Sequence, residues 1–169
     1  RDKTLILGRV SNKPHKHLKH FHPLLDYVVA RLGHVGVTEG KILFARDNRQ
    51  LVNALRQGKV DWVTETPFSA TLFEKSAGAE LLVLRWKKGV PRYRTCFVTK
   101  KGSGIRSLQD LKGKMIAFED RGSTSSFLLP VSTMIDNGLQ VTELASPREE
   151  VPSDMAGYVF AREEMNIAN

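Results

Sequence analysis

Short apolar segments alternate along this chain with segments in which apolar residues recur at helical spacing. The short segments are rich in leucine, isoleucine and valine, and the segments between them place apolar side chains on one helical face. This alternation is typical of βαβ units and predicts an α/β fold with a mainly parallel sheet. In the first half the predicted strands are TLILGRV (4–10), KILFA (41–45), KVDWVT (59–64) and AELLVLRW (79–86), and the predicted helices are 18–33, 47–58 and 67–78.

A second series of the same kind follows the Gly/Ser-rich turn KKGSG. The extended segment RYRTCFVTK (92–100) leads into this turn, and the predicted elements after it are a short helix at 107–111, a strand at 114–119, a helix at 123–137, a strand at 139–145 and a helix near 153–168. The two series predict two α/β lobes. We expect a first lobe at 1–92, an inter-lobe crossing at 93–104 and a partial second lobe at 105–169.

Composition narrows the classes of partner. A chain of 169 residues can bury a core without disulfides, and its single cysteine, Cys96, excludes an internal one. The net charge of +8 favours anionic partners. The basic residues are scattered and form no nucleic-acid motif, so no nucleic-acid partner is predicted. General adhesion to polyanions is an alternative that would show steep salt dependence. The apolar runs are too short to cross a bilayer.

The stretch EDRGSTSSFLLP places four hydroxyl residues directly after a glycine, where the strand at 114–119 gives way to the helix at 123–137. Ligands of open α/β sheets bind at the carboxyl ends of strands, and a helix start offers backbone N–H donors. Gly122 lets a ligand approach the backbone, and Ser123, Thr124 and Ser125 add neutral donors. The sequence therefore predicts a site for a small oxyanion. The alternative is that one hydroxyl merely caps the helix.

Two other predicted strands also end in polar residues. Ser11 and Asn12 follow the first strand, and Glu65 and Thr66 follow the third. We expect these residues to line the same cleft. Glu65, and less directly Asp120, would repel a fully ionised anion, so a carboxylate here favours a ligand that carries a proton or an ammonium group and disfavours sulfate. The alternative is that Glu65 caps the next helix or points to solvent.

For the other residues that stand out in the sequence, a structural role is favoured over a role in metal binding or catalysis. Four histidines in HKHLKHFH have no nearby acidic or cysteine partner, so no metal site is predicted. Cys96, Trp62 and Trp86 are expected to pack as apolar residues, although a Cys96 thiol that faces the cleft could ligate a soft oxyanion such as arsenite. Ser123 lacks the flanking pattern of a catalytic nucleophile, so neither an enzyme nor a cofactor is predicted.

Several of these stretches together resemble a known family. VSNKP, LVNALRQGKVDWVTETPFSA, and above all DLKGK followed by GSTS are similar to the phosphate/phosphite/phosphonate-binding components of ABC transporters, which are type II periplasmic binding proteins. The resemblance implies that Ser123, Thr124 and Ser125 hold the ligand's oxyanion, that Tyr93 lines the pocket, and that the TETPF turn supplies contacts from the first lobe. Family members extend further than this chain, which implies an incomplete second lobe.

The resemblance also implies a role. A solute-binding protein of this kind captures a phosphate-, phosphite- or phosphonate-like oxyanion in an inter-lobe cleft and delivers it to an ABC transporter permease. It would be periplasmic, or extracellular and tethered to the membrane, and would meet the membrane only through the permease. The alternative is a ligand-sensing domain of the same fold that signals to a kinase or another partner.

Overall fold

The structure is a computed structural model that describes residues 3–11, 13–86 and 89–161. The chain divides into two compact units, Arg1–Arg85 (unit 1) and Trp86–Asn169 (unit 2). Both units are α/β with parallel strands, as the alternation of segments predicts. The lobe limits of 1–92 and 105–169, with a crossing at 93–104, stay a prediction.

Unit 1 contains a parallel sheet in the order β2-β1-β3. Its strands are β1 (Lys3–Val10), β2 (Val37–Ala45) and β3 (Trp62–Val63), and its helices are α1 (Pro14–Val29), α2 (Asn48–Arg56) and α3 (Pro67–Ala77), with a short 3-10 turn at Gly33–Val35. Each of these strands and α-helices overlaps a predicted one, although α1 begins at Pro14 rather than at residue 18 and β3 covers only two residues of the strand predicted at 59–64. The strand predicted at 79–86 is treated below.

Local signals in the sequence explain where the helices of unit 1 begin and end. The Asp47 carboxylate accepts the Gln50 N–H at 2.8 Å and so caps α2. Thr66 caps α3 in the same way, and Pro67 occupies the first turn, where no N–H is needed. Gly78 ends α3 in the left-handed conformation with φ 67°. These contacts span only a few residues, which makes them readable from the sequence.

The core of unit 1 is formed by side chains from α1, α2 and α3 packed against the sheet. Leu7 on β1, Leu25, Leu51 and Phe73 are fully buried. The close packing extends to the backbone, because a methyl group at Gly8 of β1 would lie 2.7 Å from Val60 Cγ1 and 2.8 Å from Leu51 Cδ1. Gly8 therefore lets the α2 layer approach the central strand.

The Gly8→Ala substitution is expected to lower the free energy of unfolding by about 1–3 kcal/mol, because it overpacks a dense core. The measurement is urea denaturation followed by circular dichroism. Gly33→Ala is the matched control, since a methyl group there meets nothing within 4 Å. Its effect should remain within about 0.5 kcal/mol of zero. Equal effects of the two substitutions would contradict the packing at Gly8.

Side-chain carboxylates continue the pairing of β1 beyond the very short β3. The Asp61 carboxylate accepts the Ile6 N–H at 2.7 Å just before β3. After β3, the Glu65 carboxylate accepts the Val10 N–H at 2.7 Å. Two carboxylates therefore take places that the carbonyls of a longer strand would fill.

Unit 2 contains a second parallel sheet in the order β4-β6-β5. Its strands are β4 (Met115–Phe118), β5 (Gln140–Glu143) and β6 (Met155–Phe160). A 3-10 turn covers Leu108–Leu111, and a π-helical turn at Thr124–Leu128 runs directly into α4 (Leu129–Asp136). Buried residues fill the core, and aromatic rings pack beside them with centroids as close as 4.9 Å. The core residues are Leu111, Phe118, Met134, Leu139 and Ala156.

Two elements predicted from the sequence are wrong. The segment 79–86 is irregular and exposed instead of a strand, with Val83 90% and Leu84 88% accessible. Its residues favour a strand, but no described backbone segment pairs with it in a sheet. The helix predicted near 153–168 is instead the strand β6 at 155–160, and residues 162–168 lie outside the described residues. β6 is the central strand of its sheet and is mostly apolar, and periodicity alone cannot distinguish such an apolar run from part of a buried helix.

The segment at 92–100 is likewise irregular and exposed. Trp86, expected in the core, is 62% accessible. Trp62, by contrast, is partly buried against the cluster that contains Leu7. No helix in the part of the chain that the structure describes is long and apolar enough to span a membrane.

Candidate functional site

The hydroxyl-rich turn of unit 2 lies between the end of β4 and the helical stretch that begins at Thr124. Ser123 is the N-cap, and its Oγ accepts the Ser126 N–H at 3.1 Å. The Ser126 Oγ in turn accepts the Glu119 N–H at 3.0 Å, which ties the helix start to the strand end. The capping alternative therefore holds for Ser123. Ser126 has a structural role that sequence reasoning missed.

Thr124 and Ser125 occupy the first positions of the helical stretch and are partly accessible. The Leu128 N–H donates to the Ser123 carbonyl at 3.1 Å, a π-helical spacing that widens this first turn. The Ser125 hydroxyl makes no hydrogen bond to another described residue. Capping thus occupies one hydroxyl of the predicted triplet, and Ser125 remains able to donate to a ligand.

Asp120 shapes the turn that precedes these hydroxyls. Its Oδ1 accepts the Gly122 N–H at 2.8 Å, and its carbonyl accepts the Ser123 N–H at 3.0 Å. The neighbouring Arg121 forms an ion pair with Glu143 and stacks over the Phe160 ring at 4.5 Å. Asp120 is exposed, and its second carboxylate oxygen accepts no hydrogen bond from another described residue, so ligand contact by Asp120 stays a prediction.

Glu65 is buried at the carboxyl edge of the sheet in unit 1. Its side chain is 5% accessible, and Oε2 lies 2.9 Å from Arg9 Nη1 while Oε1 accepts the Val10 N–H. Burial raises the pKa of Glu65, and the charge of Arg9 and the backbone donors Val10 and Thr66 oppose this rise. The alternative that Glu65 points to solvent is wrong. Because Arg9 offsets its charge, Glu65 repels an anion less than an unpaired carboxylate would.

The other predicted residues of unit 1 also have local partners. The Thr66 hydroxyl accepts the Ser69 N–H at 3.4 Å. The Ser11 hydroxyl accepts the Lys13 N–H at 3.0 Å. Asn12 lies outside the described residues. Ligand contact by Ser11, Glu65 and Thr66 therefore stays a prediction.

Two residues of the segment 92–100 in unit 2 are exposed. Tyr93 is 68% accessible, and its predicted place in a pocket stays a prediction. Cys96 is exposed, so the expectation that it packs as a small apolar residue is wrong. Residues 92–100 form neither a helix nor a strand and are exposed, so Cys96 does not lie in the apolar core that the expectation required.

The two candidate regions can therefore be described separately. In unit 2, Ser125 and the neighbouring Thr124 lie at the junction of β4 and the helical stretch. In unit 1, Glu65 and Ser11 lie at the carboxyl edge of the β1–β3 pair. Within the described ranges, no cluster of three or more His, Cys, Asp or Glu side chains could hold a metal ion.

Sequence reasoning missed Arg9 altogether. A signal was available, since Arg9 is a charged residue inside the apolar strand TLILGRV and must find a partner if that strand is buried. The partner, Glu65, follows the third strand of the chain. Parallel pairing of β1 with β3 brings the two residues together.

Comparison with known proteins decides the family. Residues 7–162 match the family described as ABC transporter, phosphonate, periplasmic substrate-binding protein. The chain belongs to this family. The resemblance inferred from GSTS and DLKGK is thereby confirmed, and the family consists of transport binding proteins rather than enzymes.

Individual proteins that are similar to this chain agree with the assignment. The phosphate-import protein PhnD of Mycolicibacterium smegmatis is 26% identical over an alignment of 142 residues, with 80% of this chain and 43% of that protein covered. XAC2383 from Xanthomonas citri, solved bound to chloride ion, has a TM-score of 0.92 at 38% identity, over 98% of this chain and 59% of its own.

A more distant structure agrees on the fold alone. The binding protein component of an ABC phosphonate transporter from Pseudomonas aeruginosa has a TM-score of 0.63 at 20% identity, over 98% of this chain and 53% of its own. The predicted α/β fold of the type II periplasmic-binding-protein kind is confirmed. The chain spans between 43% and 59% of the length of these three relatives.

Proposed function

We propose that this chain is the oxyanion-binding part of a solute-binding protein that serves ABC transporter uptake. Its ligand would be a small phosphate-, phosphite- or phosphonate-like anion, and its partner the transporter permease. The named roles of the relatives support this proposal, since one is a phosphate-import protein and another a binding component of a phosphonate transporter. The family description further supports a periplasmic location.

The observation that carries the proposal is the hydroxyl of Ser125 at the start of the helical stretch after β4, which has no hydrogen-bond partner among the described residues. A helix start presents backbone N–H groups and a partial positive charge, which together favour an anion. Ser123 is occupied as the cap, so the turn keeps its shape without using Ser125. Neutral donors hold a dehydrated oxyanion without requiring a full counter-charge.

Asp120 suggests how such a site would choose among anions. The carboxylate that accepts the Gly122 N–H can also accept an O–H from a ligand, which a hydrogen phosphate or a singly protonated phosphonate supplies. Sulfate has no proton at neutral pH, so it cannot donate this hydrogen bond and would be repelled by the Asp120 carboxylate. We therefore expect phosphate or phosphonate to bind more tightly than sulfate. This selectivity would come from Asp120 rather than from Glu65, because Arg9 offsets the charge of Glu65.

The test is a thermal-shift series followed by calorimetry with phosphate, phosphite, methylphosphonate, aminoethylphosphonate, sulfate and arsenite. A ligand that binds only the folded chain raises its stability by about 2.7 kcal/mol at a concentration about 100 times Kd. Ser125→Ala should weaken binding of the preferred anion about tenfold or more, through loss of one hydrogen bond to a charged group. It should leave the melting temperature without ligand unchanged.

Ser132→Ala is the matched control, because Ser132 is a partly buried hydroxyl further along the same helical stretch. We expect it to bind the anion as the unchanged chain does. Equal stabilisation by all six compounds, or equal affinity of the Ser125 and Ser132 variants, would contradict the proposed function.

A further inference from the structure

Two guanidinium groups of unit 1 lie beside the same buried ring. The Cζ atoms of Arg9 and Arg85 are 5.7 Å and 5.5 Å from the centroid of the Phe21 ring. Phe21 is 4% accessible and belongs to the core cluster with Leu7 and Leu25. The ring therefore fixes two like charges in one neighbourhood, an arrangement that needs compensation by negative charge.

The described residues supply only part of that compensation. Glu65 is the one carboxylate in contact with the pair, and its two oxygens are engaged by Arg9 and by the Val10 N–H. Arg9 Nη1 is further held by the Thr64 carbonyl at 2.6 Å. Arg85 has neither an ion pair nor a hydrogen bond to another described residue. Arg9 Nε is buried without a hydrogen-bond partner in the same part of the chain.

The neighbouring histidine is also surrounded by positive charge. The His17 ring lies 6.0 Å from the Phe21 ring, centroid to centroid. Burial lowers the pKa of His17, and the charges of Arg9, His20, Arg85 and Lys16 lower it further. Burial and the nearby cations both disfavour the charged imidazolium form, and the contribution of the cations indicates a positive potential at this position.

This arrangement lies at the edge of the sheet where ligands bind in open α/β folds. Arg9 is the penultimate residue of β1, and Glu65 follows β3. The carboxyl ends of both strands point to that edge. An excess guanidinium at such an edge attracts an anion and can hold it through a fork of two N–H donors.

We propose that unit 1 contains an anion-binding site of its own, in which Arg85 binds a tetrahedral oxyanion, with Arg9 and His17 beside it. The ligand class is a phosphoryl group, either free or at the end of a larger molecule. This site shares only the oxyanion class of ligand with the proposed function and uses no residue of the Ser123–Ser125 turn. A bound anion would offset the one guanidinium charge that Glu65, paired with Arg9, leaves unbalanced.

The experiment is an NMR titration of the full chain with inorganic phosphate at constant ionic strength, with chloride as the balancing anion. Two reporters are read separately. The pKa of His17, from its ring C–H resonances, reports on unit 1, and the amide resonances of Gly122 and Ser125 report on unit 2. Phosphate should raise the pKa of His17, because a nearby anion favours the imidazolium form.

Arg85→Gln should weaken phosphate binding at the His17 reporter about tenfold or more and abolish the rise in its pKa. Arg85→Lys keeps the charge but loses the fork, so an intermediate affinity is expected. Arg31→Gln is the matched control, because Arg31 also stacks on an aromatic ring of α1, Tyr27, at 3.4 Å from Cζ to the centroid. It should bind phosphate as the unchanged chain does. The amide spectrum of each variant checks its fold.

The outcomes separate this inference from the proposed function. Movement of the Gly122 and Ser125 amides without a change at His17 would overturn the unit 1 site and leave the proposed function standing. A response at His17 that Arg85→Gln removes, without movement of the unit 2 amides, would support the unit 1 site and contradict the proposed function. An equal response of His17 to chloride and to phosphate, an adventitious ion only, would overturn the inference.

Discussion

Arg9→Met is expected to lower the free energy of unfolding by about 3–5 kcal/mol, because it leaves the Glu65 carboxylate buried without its ion-pair partner. Glu65 is 5% and Arg9 17% accessible, and the pair is joined at 2.9 Å, so solvent screens it little. The measurement is urea denaturation at neutral pH. Methionine keeps the volume of the arginine stem, so that most of the loss comes from the charge rather than from a cavity.

The size of this loss should depend on pH. The pKa of Glu65 is already raised by burial, and removing Arg9 removes the strongest influence that lowers it. A group whose pKa is raised on folding contributes stability below its unfolded pKa, and this contribution is lost as the pH rises through the folded pKa. The deficit of Arg9→Met should therefore be small in acid, where Glu65 is protonated, and reach its full size above the folded pKa.

The double variant Arg9→Met with Glu65→Leu provides the control. Replacing both charges removes the uncompensated carboxylate, so most of the lost stability should return. The Val10 N–H would lose its acceptor, at a cost of about 1–3 kcal/mol if no water replaces it. A double variant as unstable as the single one at every pH would show that the ion pair is not the cause.

Phe73→Ala should have a comparable effect, a loss of about 3–5 kcal/mol, since it removes a fully buried ring from the core of unit 1. The same denaturation experiment measures it. Leu84→Ala is the contrasting variant, because Leu84 is 88% accessible. A change within about 0.5 kcal/mol is expected there. A loss of several kcal/mol from Leu84→Ala would mean that the segment 79–86 is packed after all.

Phe73 and Leu84 illustrate how far the sequence could predict the fold. The helix that carries Phe73 can be predicted from local residues, because Thr66 caps it, Pro67 occupies its first turn and Gly78 ends it. The segment around Leu84 has the composition of a strand, but a strand also needs a neighbouring backbone to pair with. The composition of a segment predicts whether it prefers the strand conformation, but it does not show whether a neighbouring backbone segment is present to pair with it. The prediction of a helix where β6 lies fails for a different reason. This strand is central in its sheet and mostly apolar, and such a run also fits a buried helix.

The candidate site was likewise only partly predictable from the sequence. The place of Ser123 and Ser125 between β4 and a helix follows from the order of elements along the chain. The separate roles of the hydroxyls do not, because the cap at Ser123 and the Ser126 bond to Glu119 depend on the shape of the turn. The Arg9–Glu65 pair joins residues from different strands, and no local pattern marks it. Long-range pairing has to be seen in the structure.

The two carboxylates that border β3 also occupy backbone donors of β1 that an added strand would need. An open sheet edge with free N–H groups is a template on which another chain can add a strand, and this is one route to aggregation. On β1, Asp61 and Glu65 occupy the Ile6 and Val10 N–H groups at either end of a two-residue neighbour. An incoming strand would have to displace both charged acceptors, one of which is held in an ion pair. Acidic side chains thus close a stretch of backbone that the short β3 alone would leave open.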